Sequence, residues 1–172
     1  MKYELFPTPV WHIEGAPQEL VDELYKGAYA CKESRKGNIL SNQGGYQSPS
    51  FNWDKFHPEG IKYIEGVLKK ELKELTEFSL HVKHWWININ PTGTWNTPHT
   101  HPTVHFAAIL YLTDTQGELC FVSHTNRVYD DAYVGMNTKK GDLLVFPSDQ
   151  IHFVLPNESE KDRVCISMNI TV

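Results

Sequence analysis

The spacing of hydrophobic and polar residues changes twice along the 172-residue chain, and each change marks a change of structure. Residues 5–13 (Leu-Phe-Pro-Thr-Pro-Val-Trp-His-Ile) read as extended, because each proline turns its predecessor away from helix and the rest alternates or is β-branched. Leu20, Val21, Leu24, Ala28 and Cys31 then recur at helical spacing behind Pro17, which predicts a helix over 17–31 with one face for a sheet. Between 36 and 50 the composition turns to Gly, Ser, Asn and Gln around Gly44-Gly45, the signature of a long and often functional loop. A second helix, 58–75, opens at Pro58 and sets Ile61, Ile64, Leu68, Leu72 and Leu75 on one face.

From residue 79 onward the pattern is that of strands, predicted at 80–90, 104–112, 117–122, 142–147, 151–155 and 162–171. Two helices followed by many short strands predict a single α+β domain over 1–172. Its sheet should close or double into a barrel or jelly roll, with the helices packed on it. No internal repeat or low-complexity segment interrupts it.

Composition narrows the function. The formal net charge is −5 and the basic residues are dispersed apart from Lys69-Lys70, so the footprint of a nucleic-acid-binding surface is missing. Cys31, Cys120 and Cys165 are odd in number and far apart, which argues for reduced thiols and a cytoplasmic setting. No run approaches the roughly 18 apolar residues that a membrane span requires, and no signal pattern opens the chain. The expected partner is a small-molecule or protein substrate, with no membrane and with nucleic acid disfavoured rather than excluded; a homodimer is left open.

The chemistry concentrates at His99-Thr100-His101-Pro102 and at His152. Alternate residues of a strand share a face, so His99 and His101 can aim at one point, and His152 follows another strand. Imidazoles suit iron, zinc, copper or nickel, and three protein ligands with open positions suit catalysis better than a structural clamp. Singly, each histidine is more often a solvated or core residue; together they form the sharpest cluster in the chain. His105 shares their parity and is a reserve ligand or a pocket residue. His124 reads as a surface histidine, and His12, His57, His81 and His84 lack the spacing. Asn88 and Asn90, on a strand otherwise made of Trp and Ile, either line a pocket or tie down the loop 91–98, because buried amides need partners.

Six segments in order resemble the 2-oxoglutarate- and Fe(II)-dependent oxygenases, most closely their small bacterial and phage members with prolyl-hydroxylase-like motifs. They are Trp86 to Asn90, His99 to Pro102, Ala108 to Thr113, Gly117 to Phe121, Lys140 to Ser148, and His152 with Arg163 to Asn169. The resemblance implies a double-stranded β-helix and a dioxygenase using Fe(II), 2-oxoglutarate and O₂. It would hydroxylate a protein side chain or small metabolite and release succinate and CO₂. It also implies His99 and His152 as metal ligands. His101 stands where that family commonly has a carboxylate, so either His101 is the third ligand or an acid such as Glu118 supplies it. Arg163 would pair bidentately with the far carboxylate of 2-oxoglutarate, joined by Tyr111, Ser167 and Asn90. Asn88, His105 and Glu118 are further pocket candidates. Without the histidines, Arg163 reads as an ordinary surface ion pair with Asp162 or Glu160.

Two rival readings remain at this level. Gly93, the His-x-His pair, Gly141, Pro147 and His152 also approximate cupin spacing, which would give a metal-dependent dioxygenase or isomerase with no task for Arg163 and Tyr111. A non-catalytic metal-binding β-barrel is the third.

Overall fold

A computed structural model describes residues 7–51, 58–72, 79–114, 118–124 and 131–172. Helices α1 (Gln18–Ser34) and α2 (Pro58–Glu71) and eleven strands make up its regular structure. The strands are β1 (Trp11–Ile13), β2 (Asn42–Gln43), β3 (Tyr46–Gln47), β4 (His81–Asn90), β5 (Trp95–His99), β6 (Phe106–Tyr111), β7 (Leu119–Val122), β8 (Tyr133–Met136), β9 (Leu143–Pro147), β10 (His152–Val154) and β11 (Arg163–Thr171). They form a six-stranded sheet, β1-β9-β6-β11-β4-β3, facing a five-stranded one, β2-β5-β10-β7-β8. All pairings are antiparallel. The chain passes repeatedly from one sheet to the other, giving the α+β double-stranded β-helix.

Strand parity divides the interior into two cores, because successive side chains leave a strand on opposite faces. Trp85, Ile87 and Ile89 of β4, Leu110 of β6, Val145 of β9 and Val164, Ile166 and Met168 of β11 face outward from the large sheet. There they meet Leu24 and Ala28 of α1 and Ile64 and Leu68 of α2. The opposite parity points between the sheets, where Ala107, Ile109, Tyr111, Leu144, Phe146 and Cys165 meet Leu119 and Phe121. Strands buried on both faces explain why β9 reads as an unbroken apolar run. Arg163, Ser167, Asn88 and Asn90 have the inward parity too, which places polar groups beside an apolar inter-sheet core.

The helix faces predicted from the sequence are the buried ones: Leu20, Val21, Leu24, Ala28 and Cys31 of α1, and Ile64, Leu68 and Leu72 at α2. The predicted helix end at 75, and Gly117, lie outside the described residues. Three expectations change. The loop 36–50 contains the hairpin β2–β3, whose halves pair with different sheets (β2 with β5, β3 with β4) and so close one end of the barrel. Strands β5 and β8 were not expected, being short and polar or flanked by loop-like composition. His101 is not on a strand, since β5 ends at His99.

Candidate metal centre

β5 and β10 are neighbours, and their register sets His99 directly opposite His152. His101 arrives by a different route, in the turn after β5. Ser148, 9 % exposed, holds that turn: its carbonyl accepts from His101 N–H at 2.8 Å, its N–H donates to His105 O at 3.1 Å, and its hydroxyl donates to Val104 O at 2.6 Å. The loop so clamped includes Thr103 at φ 71°, a left-handed conformation that a β-branched residue rarely adopts. The stretch that presents His101 is therefore strained and tied to the turn that leads to His152.

One ring nitrogen from each of the three histidines lies within 4.8 Å of the others. His101 Nε2 and His152 Nε2 are 3.2 Å apart. Two nitrogens bound to one metal at ordinary Zn–N or similar bond lengths sit about 3.0–3.4 Å apart, so this pair already has a ligand spacing. Tautomers agree. His99 Nδ1 lies 2.7 Å from Thr97 O and His152 Nδ1 lies 2.9 Å from Gln150 O. A carbonyl only accepts, so both Nδ1 atoms carry the proton and both Nε2 atoms keep a free lone pair. Burial lowers the pKa of all three. His101 falls to about 4, from burial and then the neighbouring His99; His152 falls to about 3, from burial and then the charges of His99 and His101. The rings are neutral at pH 7 and are donors suited to a divalent cation; the residues present fit the ion. Packing restrains them: Phe146 meets His152 edge-on at 4.7 Å, and Trp86 lies over His101 at 5.5 Å.

Behind the histidines lies a narrow pocket between the sheets. Arg163, 3 % exposed, faces it with Tyr111, Ser167, Asn88 and Asn90. Its Nη1 donates to Leu155 O at 3.1 Å, and the guanidinium stays charged although burial lowers its pKa. Burial raises the Tyr111 pKa, so its hydroxyl, bonded to the Thr138 side chain, remains a neutral donor. Asn88 Nδ2 donates to Ser167 Oγ at 3.1 Å, which leaves the Ser167 proton for another acceptor. The surface-ion-pair reading of Arg163 fails by parity: Arg163 points inward, while Asp162 accepts from Tyr29.

Asn88 and Asn90 do both things open to them. They line the pocket, and Asn42 Nδ2 reaches their Oδ1 atoms at 3.4 and 3.1 Å, while Asn90 Nδ2 donates to Asn96 Oδ1 at 3.2 Å. Sequence reasoning missed Asn42, Asn96, Ser148 and Thr138. Asn42 had a local signal, an amide ahead of Gly44-Gly45 in a polar loop, but its partners lie 46 and 48 residues away.

Two candidates do not belong to the site. Glu118 has the parity opposite to Leu119 and Phe121, so its side chain lies against Gly135 of β8 rather than among the histidines. Among the described residues no carboxylate joins that cluster. His105 is exposed, and its Nδ1 accepts from Val172 N–H; the turn at 100–105 breaks the alternation that would have carried it inward. The other grouping of potential ligands, His12, Glu14 and Asp142, is a surface clasp in which His12 meets Asp142 at 2.8 Å.

A family model described as 2OG-Fe(II) oxygenase matches residues 84–169. Among curated proteins no relative matches the chain. The fold is shared with a prolyl-4-hydroxylase from Pseudomonas putida (TM-score 0.70, 15 % identity, 94 % of this chain and 91 % of that one). It is also shared with a Trichoplax adhaerens prolyl hydroxylase solved with a peptide of hypoxia inducible factor (0.68, 16 %, 94 % and 83 %). Streptomyces hygroscopicus HygX, solved with nickel and 2-oxoglutarate, is similar as well (0.68, 12 %, 95 % and 83 %).

Proposed function

Because the chain belongs to the 2OG-Fe(II) oxygenase family, whose cofactors are Fe(II), 2-oxoglutarate and O₂, we propose that residues 1–172 act as one dioxygenase domain. It hydroxylates a C–H bond of a protein side chain or small metabolite and converts 2-oxoglutarate to succinate and CO₂. The observation that carries this reading is the meeting of two features in one pocket: three neutral imidazoles at its mouth and the buried Arg163 guanidinium in its wall.

His99, His101 and His152 would hold the iron. When bound, iron supplies the oxidation chemistry and open coordination positions for the co-substrate and O₂. The chain's own residues do the rest. Arg163 presents a planar fork to the far carboxylate of 2-oxoglutarate, and Tyr111 and Ser167 add neutral hydroxyl donors to the same group. Asn90 and Asn88, held by Asn42, fix the adjoining wall. Phe121, Phe146 and Ile109 keep the space between the sheets apolar, which excludes water and strengthens the ion pairing. Three imidazoles bring no negative charge, so a bound Fe(II) keeps its double charge and attracts an anionic co-substrate more strongly than a site containing a carboxylate does. Arg163 and Tyr111, which a cupin enzyme does not need, favour this reading over the cupin alternative.

Anaerobic titration of the Fe(II)-loaded protein with 2-oxoglutarate tests it. A visible metal-to-ligand charge-transfer band is expected, weakened sharply in Arg163→Ala and absent in His152→Ala. An unchanged band in Arg163→Ala would return the assignment to the cupin class.

A further inference from the structure

The three imidazoles are oriented in two different ways. His99 and His152 each give the Nδ1 proton to a backbone carbonyl two residues back, Thr97 O and Gln150 O, so the segment that carries the ligand also orients it. His101 lies past the end of β5, with its main chain tied to the Ser148 turn. Its ring turns instead to a side chain of the large sheet, Asn169 of β11.

Asn169 continues the inward series Arg163, Cys165 and Ser167, and the β11–β4 ladder slips directly after it. Such bulges recur beside active sites because they re-aim a side chain. Across the other ladder Asn169 faces the small Ala107. Asn169 Oδ1 is fully buried and is hydrogen-bonded to the His101 ring, more loosely than the carbonyls are to His99 and His152. His101 Nε2 faces His152 Nε2 at 3.2 Å, so the nitrogen left for Asn169 is Nδ1. Trp86 packs on the same ring, with centroids 5.5 Å apart and planes 30° from parallel. That contact limits how the ring tilts, but the face of an indole does not select which nitrogen is protonated. A carbonyl oxygen does, because it only accepts.

We propose that Asn169 is the positioning residue of His101: its Oδ1 takes the Nδ1 proton, fixes the rotation of the ring and leaves the Nε2 lone pair facing the other two ligands. β11 thereby does for His101 what local carbonyls do for His99 and His152. The partner is a neutral amide, so it orients the ring without adding charge to a centre that already has no carboxylate among its described ligands. An acid in its place would make the carboxylate–histidine–metal arrangement that raises ligand basicity. This rests on His101 being the third ligand in the functional reading above and adds the residue that aims it.

Imidazole ¹H–¹⁵N NMR of isotope-labelled, metal-free protein at neutral pH reports which nitrogen of each ring is protonated, and His101 should carry its proton on Nδ1. Asn169→Leu removes the acceptor while keeping most of the side-chain bulk. The His101 proton should then redistribute toward Nε2 while His99 and His152 stay as they are. Co(II) affinity, read by calorimetry, should fall about 10–100-fold, with an altered visible spectrum. Asn169→Asp keeps an acceptor and should preserve the tautomer and at least the original affinity. A purely structural role would lower Tm without moving the tautomer. A His101 proton on Nε2 in the unsubstituted protein would overturn the proposal. So would Asn169→Leu binding Co(II) as tightly as before with the same spectrum, or Asn169→Asp binding no better than Asn169→Leu. Should the leucine variant fail to fold, the tautomer of the unsubstituted protein and the aspartate variant decide. None of these readouts uses 2-oxoglutarate, so failure of the co-substrate titration and failure of this proposal are told apart.

Discussion

Replacing Ser148 with alanine separates the placing of a ligand from the stability of the fold. The substitution removes one 2.6 Å hydrogen bond, from the Ser148 hydroxyl to Val104 O, and keeps both backbone bonds of residue 148. Stranding a carbonyl in a half-buried turn costs about 2 kcal/mol. For a chain of this length that corresponds to a fall in Tm of roughly 4–8 °C. The effect on metal binding should be of similar size in free energy. Thr103, at φ 71°, holds strain on the order of 1–3 kcal/mol. Once the clamp loosens, this residue can relax, and His101, two positions earlier, moves with it. Loss of an outer partner that orients a ligand lowers metal affinity by about 10–100-fold. Calorimetric titration with Co(II), with the visible Co(II) spectrum as a reporter of coordination, should show that loss together with an altered spectrum. Ser148→Thr keeps the hydroxyl and should restore both. If Tm falls as expected while Co(II) affinity and spectrum stay unchanged, Ser148 supports only the fold and the argument fails.

Acid should destabilise the metal-free protein. The folded-state pKa values of about 4 for His101 and about 3 for His152 lie below the ordinary value of 6.5. The unfolded chain therefore takes up protons first as pH falls, and stability contributed by the neutral rings declines between pH 6.5 and 3 and is level above it. Urea unfolding at several pH values should show this slope. A His101→Asn/His152→Asn protein should show less of it, and an equal slope would refute the assignment. Glu118→Gln and His105→Ala should each change Co(II) affinity by no more than about twofold, as substitutions remote from a site do; a tenfold loss in either would restore that residue as a ligand. Gly45→Ala puts a Cβ 2.5 Å from Ile89 O and 2.6 Å from Asn42 Oδ1. The hairpin β2–β3 must shift off β4, at about 1–3 kcal/mol, and 2-oxoglutarate should bind more weakly because Asn42 no longer braces Asn88 and Asn90. An unaltered Tm and an unaltered 2-oxoglutarate titration would sink this account of the hairpin.

Periodicity alone determined where α1 and α2 lie, which of their faces are buried, and that six runs after residue 79 are strands. These properties are local, because burial on one face imposes a repeat of 3.6 or 2 on neighbouring residues. The His99, His101 and His152 cluster was also legible, since imidazoles are scarce and their spacing is unusual. Tertiary structure decided what local pattern does not encode. Parity depends on where a strand begins and breaks, so the turn at 100–105 turned His105 out to solvent while a clamp from Ser148 brought His101 in. Glu118 failed as a ligand for the same reason, one residue out of phase with Leu119. The bracing amide Asn42 and the pocket that Arg163 shares with the histidines come from pairing between segments dozens of residues apart. Those pairings are set by how two sheets stack, and a linear sequence shows that only after the chain has been folded.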